Sequence, residues 1–198
     1  GGGGGGGGGD SSEFEAAMKA KQAEIERLMM GQGAAGPAEN TEDQYLDRQR
    51  KEMGRRGISL THFCKDTAQP YFISIDEDSY RSRRTMYILE KEVTTFGKKM
   101  DIQPLTPTVV REHCSVKMAA DAVTLVGGKG EVFMNGKPVA KDEEAVLAPC
   151  DRVVLGGELL IFHWKGKDGD DAPEMDAADV AAEYEDGLEA ARGSGSDA

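Results

Sequence analysis

Apolar positions change their spacing partway along the chain. Phe14, Met18, Ile25 and Leu28 mark one narrow stripe at helical spacing, Ser12 and Glu15 stand at capping-box distance, and Gly31 is placed to stop the element. A helix of about 18 residues is near the lower limit of stability alone in water, so it needs a partner. Two readings stay open for the stripe: a short coiled coil, or a surface helix packed on its own domain. After a loop through Gly31 to Asn40, Thr41 and Gln44 repeat the capping spacing, and a second, polar helix is predicted to run to about Met53 and end at Gly54.

From residue 70 the runs become short and strand-like. Tyr71–Ile75, Met86–Leu89, Val93–Phe96, Cys114–Met118, Val123–Val126, Val132–Met134, Val153–Leu155 and Leu159–Phe162 are apolar or alternating, and Gly, Pro, Asn or Asp separates most of them. About eight short strands in under 100 residues is the pattern of a β-sandwich. Asn135-Gly136 is the strongest turn signal, because a two-residue hairpin needs positive φ and this dipeptide supplies it cheaply. Gly156-Gly157 and Gly127-Gly128 are expected to make two more turns. Val180, Tyr184 and Leu188 are spaced by four in an Asp/Ala/Gly-rich end, which reads as a marginal helix inside a mostly disordered tail.

Composition bounds this picture. The chain has 198 residues, 38% hydrophobic and 30% charged, enough for one modest core with solvated segments beside it. Nine of its 26 glycines form the unbroken run Gly1 to Gly9, a low-complexity end. The net charge of −12 is unevenly spread: 10 acids against 8 bases in residues 1–56, 15 against 14 in 57–165, and 11 against 2 in 166–198. The middle is a balanced globular surface and the acidity belongs to the tail, a distribution that disfavours nucleic acid as a partner. The domains so drawn are a polyglycine segment 1–9, a helical segment 10–56, a sandwich 57–165 and an acidic flexible tail 166–198.

No stretch approaches the roughly 20 apolar residues of a membrane span, and no secretory leader opens the chain, so a cytosolic setting is expected. Cys64, Cys114 and Cys150 are odd in number and fit neither a disulfide framework nor a zinc knuckle. The first residue is glycine rather than methionine, which we read as a fragment of a longer protein. Walker, H-E-x-x-H, G-x-S-x-G and C-x-x-C motifs are missing, so no enzyme, cofactor or metal site is expected in this segment. His62, His113 and His163 lack metal-ligand spacing, and Asp76-Glu77-Asp78 reads as a solvated turn rather than a metal site.

The remaining signals lie in order across residues 97–156. Gly97-Lys98, Asp101-Ile102, Arg111-Glu112-His113-Cys114, Asn135-Gly136-Lys137-Pro138-Val139 and Asp151-Arg152-Val153-Val154-Leu155-Gly156 together resemble the motifs of a forkhead-associated (FHA) domain. More narrowly, with Gln69-Pro70-Tyr71-Phe72-Ile73-Ser74-Ile75-Asp76-Glu77-Asp78 ahead of them, they are similar to the version that third-family kinesins carry just behind the motor. The resemblance covers about residues 57–165 and implies an FHA-type β-sandwich, mainly β, with amino-terminal helices and a disordered acidic tail.

It also implies a loop face for binding, with Lys98, Lys99 and Arg111 as its basic residues and Gly97, His113, Asn135 and Gly136 as its structural ones. Phosphothreonine-binding members have arginine, serine and Asn-Gly-Thr where this chain has Lys98, Val110 and Gly130-Glu131-Val132. Lysine lacks the planar fork that grips two phosphate oxygens, valine has no hydroxyl, and Glu131 opposes an incoming phosphate. The expected function is a non-catalytic protein-interaction module of a kinesin-like motor, in dimerisation, autoinhibition or adaptor contact, in the cytoplasm on the cytoskeleton. Phosphopeptide binding is doubtful on this reading. The alternatives are a phosphothreonine reader in signalling and a structural docking protein of the cytoskeleton or axoneme.

Overall fold

The computed structural model describes residues 10–32, 40–64, 67–165, 167 and 175–195. The polyglycine run, the side chains of Ser12 and Leu28 and the loop 33–39 lie outside the described residues. The chain divides into two units, Gly1–Arg48 and Gln49–Ala198. In the first, helix α1 (Asp10–Gln32) starts before Ser12 and runs past Gly31, so neither residue bounds it. Phe14, Met18 and Ile25 on it are exposed.

Helix α2 (Asn40–Arg55) enters the second unit at Gln49. It does not stop at Gly54. The stop is Gly57, whose φ of 70° lets its own N–H bond the Gly54 carbonyl at 3.0 Å and the Ile58 N–H bond the Met53 carbonyl at 3.0 Å. Met53 packs against the sandwich core, which ties the last turn of α2 to the domain that follows.

Two antiparallel sheets build that domain. One contains β1 (Ser59–Leu60), β2 (Tyr71–Ile75), β3 (Thr85–Ile88), β7 (Val132–Met134), β8 (Lys137–Pro138), β10 (Arg152–Leu155) and β11 (Glu158–His163), in the order β1-β3-β2-β11-β10-β7-β8. The other contains β4 (Val93–Phe96), β5 (Cys114–Met118), β6 (Val123–Gly127) and β9 (Glu144–Leu147), in the order β4-β5-β6-β9. Phe72, Tyr87, Leu89, Phe96, Val116, Leu125, Leu160 and Phe162 fill the space between, each at most 1% exposed. The edge-on contact of Phe72 with Phe96, ring centres 6.0 Å apart, joins β2 to β4 across the layers.

Asn135 (φ 50°) and Gly136 (φ 74°) form the two-residue turn between β7 and β8, with Met134 paired to Lys137. Gly156 and Gly157 turn β10 into β11. Gly127-Gly128 makes no tight turn. Gly127 ends β6 opposite Cys114, and the chain then crosses to the other sheet. A Cβ on Gly127 would lie 2.0 Å from the Ala140 carbonyl oxygen, and one on Gly128 would lie 2.4 Å from that of Glu112, so these glycines serve close backbone approach.

The helix expected on Val180, Tyr184 and Leu188 is present and longer than those three positions mark. Within residues 166–198, α3 (Ala177–Ser194) is an 18-residue helix packed on the outer face of the larger sheet, and residues 166, 168–174 and 196–198 lie outside the described residues. Asp176 caps it, its carboxylate accepting from the Asp179 N–H at 2.9 Å. Val180, only 1% exposed, meets Ile73, Ile75, Phe133, Val154 and Ile161 in a second apolar cluster, with Tyr184 and Leu188 packed at its margin. Burial of an aliphatic side chain stabilises by about 1.5–3 kcal/mol, enough to hold a helix of weak intrinsic propensity. Arg152 on β10 adds a bidentate ion pair to Glu183, at 2.8 and 3.1 Å.

Gly187 is the closest contact of this seat. A Cβ there would stand 2.1 Å from the Gly136 carbonyl oxygen, so the helix rests its backbone on the β7–β8 turn. Helix propensity alone makes Gly→Ala favourable by about 0.8–1.0 kcal/mol. We expect Gly187→Ala instead to lose about 1–3 kcal/mol through overpacking against backbone. Gly193, with nothing within 4 Å of its added Cβ, is the internal control, and Gly193→Ala should be neutral or stabilising. Urea denaturation of both variants measures the contrast, and stabilisation by both would contradict the seat.

Candidate functional site

The loops at one end of the sandwich converge on His113. Its ring is 1% exposed and lies between two connections: β4–β5, residues 97–113, and β6–β7, residues 128–131. The Val110 N–H donates to Nδ1 at 3.2 Å, which requires that nitrogen to be bare. Nε2 faces the Glu131 carbonyl at 2.9 Å, and a carbonyl only accepts, so Nε2 carries the proton. The imidazole is therefore neutral. Burial holds its pKa below the ordinary value of 6.5, outweighing the Glu131 carbonyl, which acts the other way.

Glycine makes room for this ring. A Cβ on Gly130 would stand 2.0 Å from Nδ1, so the β6–β7 backbone lies against the imidazole face. Gly130 N–H reaches the His113 carbonyl at 3.1 Å, and Lys129 N–H reaches that of Glu112 at 2.9 Å. Gly97, with φ 146°, sits under the other end of the long loop: its Cβ would meet the Val110 carbonyl at 2.5 Å.

Two carboxylates fix the long loop further. Asp101 accepts from the Thr95 N–H at 3.0 Å and its hydroxyl at 2.8 Å, and pairs with Lys91 at 2.5 Å. The lysine, followed by the Thr95 bonds, lowers the Asp101 pKa to about 2. Glu158 accepts from the Tyr87 hydroxyl at 2.6 Å and from Thr106 at 3.3 Å, and burial raises its pKa. Thr108 donates to the Gly156 carbonyl, so the loop is bonded to the β10–β11 turn as well.

On this frame the residues singled out from the sequence take distinct places. Lys98, Lys99 and Arg111 are exposed, with Lys99 at φ 60° in the turn that Met100 N–H closes onto Gly97. The Lys98 N–H bonds the Val110 carbonyl at 3.3 Å, which sets the two backbones side by side. Val110 itself is 40% exposed and presents an apolar surface. Glu112 is engaged by Lys129, and the Glu131 carboxylate accepts from the Tyr184 hydroxyl of α3 at 2.6 Å. Asn135 and Gly136 lie elsewhere, on the β7–β8 hairpin. Asn135 is bonded to Asp151 at 3.0 Å and to the Arg152 N–H at 2.9 Å.

Sequence reasoning passed over Gly130 and Glu158 as structural anchors and Tyr184 as a neighbour of the loops. A glycine beside a histidine gives no sequence signal when the residues are 17 apart. Elsewhere, Asp76 and Asp78 accept backbone N–H groups at 2.8 and 2.9 Å, as turn residues do. Among the described residues no group of three or more His, Cys, Asp or Glu is placed to hold a metal ion.

The His113 bonds have a pH signature. A histidine whose folded pKa is depressed contributes stability that is present above its unfolded value of about 6.5 and lost as pH falls through the folded value. The stability gap between wild type and His113→Asn should therefore narrow between pH 7.5 and 5, as read by urea midpoints. Glu158 is common to both proteins and cancels in the difference. A gap that widens on acidification would contradict the neutral ring.

Residues 94–156 match the FHA domain family. Kinesin-like protein KIF14 of Homo sapiens is 29% identical over 147 residues, covering 71% of this chain and 9% of that protein. KIF14 of Mus musculus is 31% identical over 114 residues, covering 54% and 6%. The chain thus spans less than a tenth of the length of the curated relatives it matches. Among solved structures, an FHA domain studied for phosphothreonine-dependent interactions is 20% identical, with TM-score 0.41 over 50% of this chain and 99% of that one. The FHA domain of CT664 from Chlamydia trachomatis is 16% identical, with TM-score 0.42 over 48% and 96%. From β4 to the β10–β11 turn, residues 94–156 of this chain are an FHA domain.

Proposed function

We propose that this chain is a non-catalytic protein-interaction segment of a longer kinesin-like protein, whose FHA domain recognises partners without relying on a phosphate. Its role is dimerisation, autoinhibition or adaptor contact on the cytoskeleton, and any motor activity belongs to sequence outside it. Similarity to KIF14 supports the kinesin part of this reading. No helix among the described residues is long and apolar enough to cross a membrane.

The observation that carries the phosphate-independent reading is Val110. It stands exposed beside Lys98, at the position where the family's phosphothreonine readers have serine. A charge-assisted bond from arginine is worth about 1.5–3 kcal/mol and a neutral one from serine about 0.5–1.5. Here the first is weakened by lysine and the second is absent. Losing about 2.7 kcal/mol lowers affinity roughly a hundredfold, which turns a micromolar reader into one too weak to select its ligand. Lys98, Lys99 and Arg111 favour a second reading, in which a basic cradle still binds phosphothreonine.

Titration of a phosphothreonine peptide library distinguishes the two. Wild type should bind phosphorylated and unphosphorylated forms alike, and the double variant Lys98→Arg, Val110→Ser should gain phosphate dependence. Low-micromolar, phosphate-dependent binding by wild type that disappears in Lys98→Ala would establish the signalling reader instead.

A further inference from the structure

Helix α3 reaches the loop face through Tyr184. The Tyr184 hydroxyl donates to Oε1 of Glu131 at 2.6 Å, while the Tyr184 ring stands edge-on to Phe133 with centres 5.1 Å apart. The same Glu131 uses its carbonyl for two further bonds, from Nε2 of His113 at 2.9 Å and from the Gly156 N–H at 3.1 Å. His113 in turn receives the Val110 N–H on its other nitrogen. Glu131 thus joins α3, through its carboxylate, to His113, through its backbone carbonyl, and His113 joins Val110 in the middle of the 97–113 loop.

The helix at the head of these contacts sits on a narrow seat. Its apolar attachment is small: Val180 is buried, and Tyr184 and Leu188 are packed only at the margin. Five acids (Asp179, Glu183, Glu185, Asp186, Glu189) against one base, Arg192, leave the Val180 cluster, the Arg152–Glu183 pair, the Tyr184–Glu131 bond and the glycine contact as the ties of the helix to the domain. Docked elements with few buried contacts open at a free energy well below that of global unfolding.

We propose that α3 is a clasp on the recognition loops, so that its seating on the larger sheet sets the geometry of the loop face and its release loosens that face. Seated, the helix holds Glu131, and Glu131 holds the ring that positions Val110 and, through the Val110 carbonyl, Lys98. Released, it leaves a carboxylate without its donor beside a loop that has lost one of its ties. Coupling of this kind is reciprocal, so a ligand that tightens the loop face also tightens the helix on its seat. The inference concerns the loop face on which the proposed function rests, but its readout needs no ligand, so the two fail independently.

Amide exchange of the full 198-residue chain, resolved by NMR, tests it. Gly187→Val drives a branched side chain into the Gly136 carbonyl and unseats α3. We expect exchange of α3 amides, and of the Gly130 and Val110 amides, to rise about tenfold or more, while β5 and β6 change by less than about twofold. Tyr184→Phe keeps the ring on Phe133 and removes only the hydroxyl. It should speed exchange at Gly130 and Val110 several-fold with Val180 still protected. Two results would overturn the proposal: α3 amides open in Gly187→Val with Gly130 and Val110 unchanged, or α3 fully protected in that variant. Loss of protection throughout β5 and β6 in both variants would also overturn it, since the helix would then be part of the core rather than a clasp.

Discussion

The buried imidazole of His113 has one donor and one acceptor, and the domain uses both between its loops. Because Nδ1 receives the Val110 N–H and Nε2 gives its proton to the Glu131 carbonyl, only one tautomer of the neutral ring satisfies both neighbours. Protonation would add a hydrogen to Nδ1 facing another N–H, and it would charge a group sealed from water. Everything exposed on the loop face rests on this arrangement. Gly130 has no Cβ because the ring occupies its place, Gly97 bends under the Val110 carbonyl, and Lys98 stands where that carbonyl holds its N–H.

Glycine plays the same part at the other attachment. Gly187 of α3 meets Gly136 of the hairpin backbone to backbone, so the turn that closes β7 onto β8 is also the platform for the helix. Once seated, α3 covers an apolar face that would otherwise meet water, and Arg152 and Glu183 close the ion pair beside it. The two sheets differ for this reason. The smaller sheet has one open face and its strands alternate, as in Cys114-Ser115-Val116-Lys117. The larger sheet is covered by α3 on its outer face around Ile73, Val154 and Ile161, and Val153–Leu155 of β10 and Leu159–Phe162 of β11 are apolar without interruption.

That difference is already present in the sequence. Val153-Val154-Leu155 and Leu159-Leu160-Ile161-Phe162 were legible as strands, but a run with no polar alternation also says that something must cover the second face. The stripe that covers it, Val180, Tyr184 and Leu188, is three positions among acids, too few to suggest a docked helix by local pattern. What secures it is relational. Gly187 matters because of Gly136, and Glu183 because of Arg152, partners dozens of residues away. The sandwich, the Asn135-Gly136 turn and the Gly156-Gly157 turn were legible because each depends on neighbours in sequence. The end of α2 at Gly57 was not, since two glycines were available and only the backbone bonds to Met53 and Gly54 select between them. On the loop face, motif order pointed to His113 and Lys98, whereas the use of each ring nitrogen required geometry.

A neutral, Nε2-protonated His113 holds the loop face together. Long-range nitrogen–proton NMR correlation of the imidazole rings, at neutral pH on the full chain, reads tautomer and charge together. His113 should show one protonated nitrogen, Nε2, and one bare nitrogen, Nδ1, at pH 7. An imidazolium, an Nδ1-protonated ring or a mixture of tautomers in fast exchange would contradict it.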